Sequence, residues 1–150
     1  MRNLFADLYE VIFGIQDPMY HLLFTHAYYL SDGYVFFGLI FIFIALVMTV
    51  LFYFAFRYPY GKWWHWGIML VVTVIFVFTS TYYLSYDLIF SNTNMELRNA
   101  LNDQETGYRN FAYKVTLQIS IVNAFLATLV FLLCSYIFKQ FSKFQAHLPF

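Results

Sequence analysis

Apolar positions dominate this chain in three long runs that contain no Asp, Glu, Lys or Arg: 33–56, 63–86 and 115–138, each 24 residues long. At roughly 1.5 Å of rise per helical residue, a run of that length reaches about 36 Å, enough to cross a hydrocarbon core of about 30 Å with some tilt. The pattern predicts an all-α integral membrane protein with three transmembrane helices, over about 33–57, 63–89 and 110–139. Composition agrees: 62% of residues are hydrophobic, 25% aromatic and 11% charged, and the mean hydropathy is +0.64. A soluble domain carries about a quarter charged residues. Lipid is the solvent that suits this chain.

Residues 3–31 are too polar to span and predict two short interfacial helices. In the first, Asn3, Asp7, Glu10, Gly14 and Asp17 recur at steps of four and three, so a helix lines them up on one narrow face. Leu4, Phe5, Leu8, Val11, Ile12, Phe13 and Ile15 occupy the rest. Adsorption to anionic lipid would call for Lys or Arg, so the acidic line of Asp7, Glu10 and Asp17 is expected to face a protein partner. The same acids interrupt any signal-peptide core. Asp17-Pro18 reads as an N-cap followed by a proline at the first helical position. The helix it opens, about 18–30, is expected to carry His21, Thr25, Tyr28 and Asp32 along one line, before Ser31-Asp32-Gly33 turns into the first span.

That span is almost purely apolar, with Thr49 its one polar residue. The other two carry a seam. Thr73, Ser80 and Asp87 repeat every seven residues, and Thr116, Ser120, Asn123, Ala127 and Cys134 fall on one side of the third helix. Small and hydrogen-bonding residues on one face mark helix–helix contact in lipid, where apolar packing alone gives little preference. The expected interface is Thr73, Thr79, Ser80, Thr116, Ser120, Asn123 and Ala127, with Asn123 at the depth of Thr79 or Ser80. A hydrated path through Asn123 and Gln118 is the competing reading. The 91–114 link is the one sizeable extramembrane segment of a single 150-residue membrane domain. Its Thr93-Asn94-Met95-Glu96 has capping-box spacing and predicts a short helix with Met95, Leu97 and Leu101 on its apolar side, ending near Thr106-Gly107. The third span is expected to start as early as Tyr108.

Charge sorts between the two sides of this topology. Arg57 and Lys62 in the first link, and Lys139 and Lys143 with His147 in the tail, have no acid beside them. All eight acids fall on the other side, with Arg2, Arg98, Arg109 and Lys114. Lys and Arg tie at four a side, but the undiluted cationic segments are short, which places them in the cytoplasm and the N-terminus outside. Trp63, Trp64 and Trp66 on that side, and Tyr82, Tyr83 and Tyr86 on the other, suit interfacial belts, where an aromatic ring sits in oil and its polar tip stays wet.

Chemistry-bearing constellations are sparse. Four histidines do not share a depth in two spans, so neither haem nor a metal is expected. Asp87 with Ser85 and Tyr86 is the nearest approach to a catalytic cluster, and a lone acid at a span's end reads better as a boundary charge or a partner for Arg109. The single Cys134 excludes an internal disulfide and reads as a small packing residue. No catalytic, cofactor or metal residue is assigned, and no nucleic-acid partner is expected.

The function expected is structural: a small polytopic subunit, in the bilayer, that packs against other membrane-protein subunits or copies of itself in a secretion, transport or respiratory machine. The bacterial inner membrane is the expected location. An alternative is a homo-oligomeric pore. Three spans, an outside N-terminus and a cationic inner tail resemble the layout of three-span phage holins, with Thr116, Ser120 and Asn123 lining the lumen, although the long aromatic-rich N-terminal segment departs from that pattern.

Overall fold

The computed structural model describes residues 2–13, 18–55, 63–103 and 107–141, with the side chains of 2–4, 10 and 18–20 left outside that description. Among the described residues there are helices and no strands. Helix α1 covers Arg2–Phe13, and α2 covers Pro18–Leu23 before widening into a π turn, Phe24–Tyr29. Helix α3, Gly33–Val50, also ends in a π segment, Leu51–Ala55. Then come α4 (Trp63–Phe90), α5 (Met95–Asn102) and α6 (Tyr108–Phe141). Three helices are long and apolar enough to cross a membrane: Gly33–Ala55, Trp63–Phe90 and Tyr108–Phe141. The expected Asp17 cap, the Glu10 carboxylate, the 57–62 link, and Lys143 and His147 of the tail lie outside the described residues.

Helices α4 and α6 each bury a line of mostly small or slender residues. On α4 these are Thr73, Val77, Thr81, Ser85 and Ile89, every fourth position. On α6 the line passes through Ala112, Thr116, Ser120, Asn123, Ala127, Phe131 and Ser135. A step of four slightly overshoots the 3.6-residue turn, so such residues form one inclined ridge rather than scattering round the helix. Little side-chain bulk on that ridge lets backbones approach closely. The opposite faces expose Val71, Ile75 and Phe76 on α4, and Ile121, Phe125 and Leu133 on α6. Water does not tolerate so much apolar surface; hydrocarbon does.

The chain forms two compact units, Met1–Leu39 with Ser80–Ser120, and Ile40–Thr79 with Ile121–Phe150. The first is built on an aromatic cluster. Tyr9 of α1 stacks on Tyr34 at 5.6 Å between ring centroids and meets Phe37 edge-on at 6.1 Å. Phe24 and Phe37 each close edge-on against Tyr28, at 5.4 and 5.2 Å. Phe5 fills the space over Gly38, where any Cβ would overlap its ring. The pairs Phe5–Gly38 and Tyr9–Tyr34 run in opposite order along the two helices, so α1 lies antiparallel to the first turns of α3. It docks through Phe5, Ala6 and Tyr9, and leaves Asp7, Val11 and Ile12 exposed.

The second unit buries Phe41, Ala45, Thr49, Phe52 and Tyr53 from α3, Thr73 and Val77 from α4, and Asn123, Ala127, Phe131 and Ser135 from α6. The Trp66 ring packs on Phe131 at 5.7 Å, and Phe54 edges onto Phe138 at 6.0 Å.

Candidate functional site

The polar groups that tie elements together in the first unit gather around the α2 π turn. That turn closes from Leu30 N–H to the Thr25 carbonyl at 3.0 Å, five residues back, and so takes up one residue more than an α turn. The register shifts accordingly. Of the line expected from α periodicity, Tyr28 is fully buried while His21 and Asp32 are exposed. The chain then reverses at Asp32, whose φ of 54° is in the left-handed region that Asp tolerates better than most residues. Its carbonyl receives the Val35 and Phe36 N–H groups at 3.0 and 3.2 Å and starts α3. Gly33 keeps the corner tight: a Cβ there would press on the Tyr28 backbone at 3.1 Å and on Leu88 at 2.9 Å.

Inside the turn, the Tyr28 hydroxyl and Ser85 Oγ are 2.8 Å apart, both fully buried. Thr116 of α6 is near enough to favour ionisation of the same phenol, so α2, α4 and α6 approach one another at Tyr28. Burial pushes Tyr28 ionisation well above the usual tyrosine range, and the hydroxyls of Ser85 and Thr116 offset only part of that. The phenol is a neutral fastener.

At the rim, two asparagines close the same turn. Asn92 donates to the His26 carbonyl at 3.1 Å and to Leu88 O at 3.3 Å, and Ser31 reaches the same His26 carbonyl at 3.4 Å. These donors satisfy a carbonyl left over at a helix end. Asn94 is the N-cap of α5. Its Oδ1 accepts from Glu96 N at 2.9 Å and Leu97 N at 3.2 Å, while its Nδ2 is 3.0 Å from His26 Nδ1. The cap is thus Asn94, one residue beyond the Thr93 that the capping-box spacing suggested, because Asn94 serves the helix and the histidine together. Helix α5 buries Leu97 and Leu101 and leaves Met95 exposed, and it ends at Asn102.

The residues expected at the helix–helix interface divide. Thr116 and Ser120 are buried in the first unit, and Thr73, Asn123 and Ala127 in the second. Ser80 is half-buried, and Thr79 is exposed with its hydroxyl turned back to the Ile75 carbonyl at 2.8 Å. Cys134 is half-buried, and its neighbour Ser135 takes the buried position instead. Ser135 Oγ accepts from Trp66 Nε1 at 3.1 Å. Trp66 therefore turns into the protein, whereas Trp63 and Trp64 are exposed, as are Tyr82, Tyr83 and Tyr86. Sequence reasoning passed over Thr81 and Ser135, and weighed Ser85 only beside Asp87 and Tyr86 rather than as a buried contact. The fourfold step of Thr73, Val77, Thr81 and Ser85 was the available signal, hidden by the sevenfold repeat through Ser80 and Asp87.

Chemically the arrangement holds groups in place. Ser85 is committed to Tyr28, while Asp87 is exposed and accepts from Ser91 Oγ at 2.8 Å, so the two do not converge. Among the described residues no three His, Cys, Asp or Glu side chains are grouped to hold a metal ion. Comparison of the chain with protein-family models, curated proteins and solved structures finds no match.

Proposed function

We propose that this protein is a small structural subunit of a larger membrane assembly, packing laterally against other subunits through its apolar exterior. One observation carries the reading: Thr116, Ser120 and Asn123, the residues a pore would need in its lumen, are each fully buried within a single chain. Buried seams of this kind orient helices and leave lipid-soluble faces for neighbours. Helix α4 has most such surface to offer, since only 17% of its most apolar window is buried. Asp7, exposed on α1 beside Val11 and Ile12, adds a mixed polar and apolar strip of the sort a protein partner covers. The cationic 57–62 link favours an N-out, C-in orientation, in a bacterial inner membrane.

Purification in a mild detergent, followed by mass measurement and identification of co-purifying chains, tests the proposal. Distinct companion polypeptides in fixed ratio are expected. A ring of identical copies that renders vesicles leaky to ions would overturn it in favour of the pore.

A further inference from the structure

We propose that the His26–Asn94 contact is a proton-operated latch that holds α5 against the α2 turn when His26 is neutral and releases it on acidification. The inference goes beyond a scaffolding role and rests on donor and acceptor bookkeeping at one hydrogen bond. Asn94 cannot turn its amide over. Its Oδ1 is fixed by two backbone donors, Glu96 N at 2.9 Å and Leu97 N at 3.2 Å, and a flip would set an NH2 group against both. The atom facing the imidazole is therefore Nδ2, a donor with no accepting lone pair. At 3.0 Å, His26 Nδ1 must accept, and the ring must carry its proton on Nε2.

A second proton has only Nδ1 to occupy. It would place N–H against N–H in the centre of the contact, so protonation both removes a bond and adds a repulsion. Imidazole is the side chain whose charge changes most readily between about pH 5 and 8.

The opposing influence is Glu96 on α5, whose Oε2 is 3.6 Å from His26 Nε2. Its side chain is 76% exposed, so water and salt screen most of that attraction, and a free carboxylate can follow a departing imidazolium. From the end of α4, Asp87 spends its carboxylate on Ser91 at 2.8 Å, and on His26's own segment the nearest acid in sequence is Asp32. Release would uncover Leu97 and Leu101, which α5 now buries, as an apolar strip at the bundle's rim.

Hydrogen exchange on the full chain in lipid nanodiscs reads the latch directly, after correction for the intrinsic pH dependence of exchange. Moving from about pH 7.5 to about pH 5.5 should speed exchange of the α5 amides roughly tenfold, the worth of one lost hydrogen bond, with α4 and α6 unchanged. Asn94→Asp keeps a good N-cap but replaces the facing donor with an acceptor, so acid should now slow α5 exchange. Glu96→Gln should leave the wild-type direction intact. His26→Gln should abolish the pH response while its carbonyl oxygen still accepts from Asn94. Acid-slowed or pH-independent exchange in the wild type, or an unreversed response in Asn94→Asp, would overturn the proposal.

Discussion

The two units of this chain are held by different means. In the first, hydrogen bonds cross between elements far apart in sequence: Tyr28 with Ser85, Asn92 with the His26 carbonyl, and Asn94 with the His26 ring. In the second, threonine hydroxyls fold back onto their own helix. Thr49 donates to Ala45 at 2.6 Å, Thr73 to Met69 at 2.7 Å and Thr128 to Ala124 at 3.0 Å. Such a bond hides a polar group from lipid without tying one helix to another. Trp66–Ser135 is a polar cross-link here too, and the rest of the described fixing comes from shape, through Ala45, Val77, Ala127 and Phe131. Thr116 and Ser120 also bond back along their own helix, to the Ala112 and Thr116 carbonyls, so the first unit differs by what it adds rather than by what it lacks. Where oil offers every apolar face the same welcome, the crossing bonds select one geometry.

The sharpest way to break the first unit is through shape rather than polarity. Gly38→Ala places a methyl group inside the Phe5 ring, and α1 must roll off α3 or shed the Phe5 contact. A loss of about 1–3 kcal/mol is expected, the range for overpacking. Faster exchange of the α1 amides would report it, and Phe5→Ala in the same chain should restore part of the stability. Unaltered α1 protection in Gly38→Ala would show that the helix is not seated there.

Asn94→Ala comes next. It removes the α5 cap and the His26 bond together, for an expected loss of about 1–2 kcal/mol. The effect should be confined to α5 and the α2 turn. Unfolding that spreads evenly into the second unit would break the contrast between the two regions, because both would then depend on the same latch.

Tyr28→Phe removes only a hydroxyl, leaves the aromatic packing in place, and should cost about 1 kcal/mol. It also has a pH signature. Burial raises Tyr28 ionisation in the folded chain above its ordinary value of 10.0, whereas the unfolded chain titrates near that value. Folding thus keeps a proton that unfolding releases, so stability falls as pH climbs past about 10. Tyr28→Phe should lose that part of the alkaline decline. An identical decline in both proteins would mean the phenol is not sealed.

These cases show which features could be read from the residues alone. The three long apolar helices were legible because length and absence of charge suffice to define them. The cap at Asn94 was nearly legible, displaced by one residue because capping-box spacing knows nothing of a histidine elsewhere in the chain. The π turn at Phe24–Tyr29 was not, since no period in Phe-Thr-His-Ala-Tyr-Tyr signals an extra residue per turn. That one insertion decided that Tyr28 goes inward and His26 meets α5. Asn123 was singled out for its amide and is buried, but Thr79, chosen to match its depth, faces outward because depth fixes height along a helix and says nothing about azimuth.

The smallest expected effect sharpens the contrast from the other side. If the second unit is held by shape, the Trp66–Ser135 bond should contribute only about 0.6 kcal/mol, the average for such pairs within a membrane. Ser135→Ala alone overstates the term, because the same hydroxyl also lies near the Tyr53 phenol. A double-mutant cycle of Trp66→Phe with Ser135→Ala isolates the pair, since the effects each change has outside it cancel. A coupling near that average places the weight of this region on Phe131 and the small residues of α6. A coupling above about 2 kcal/mol would exceed the range seen for interhelical hydrogen bonds in lipid. The second unit would then be fastened by polar atoms as firmly as the first, and the distinction between them would fail.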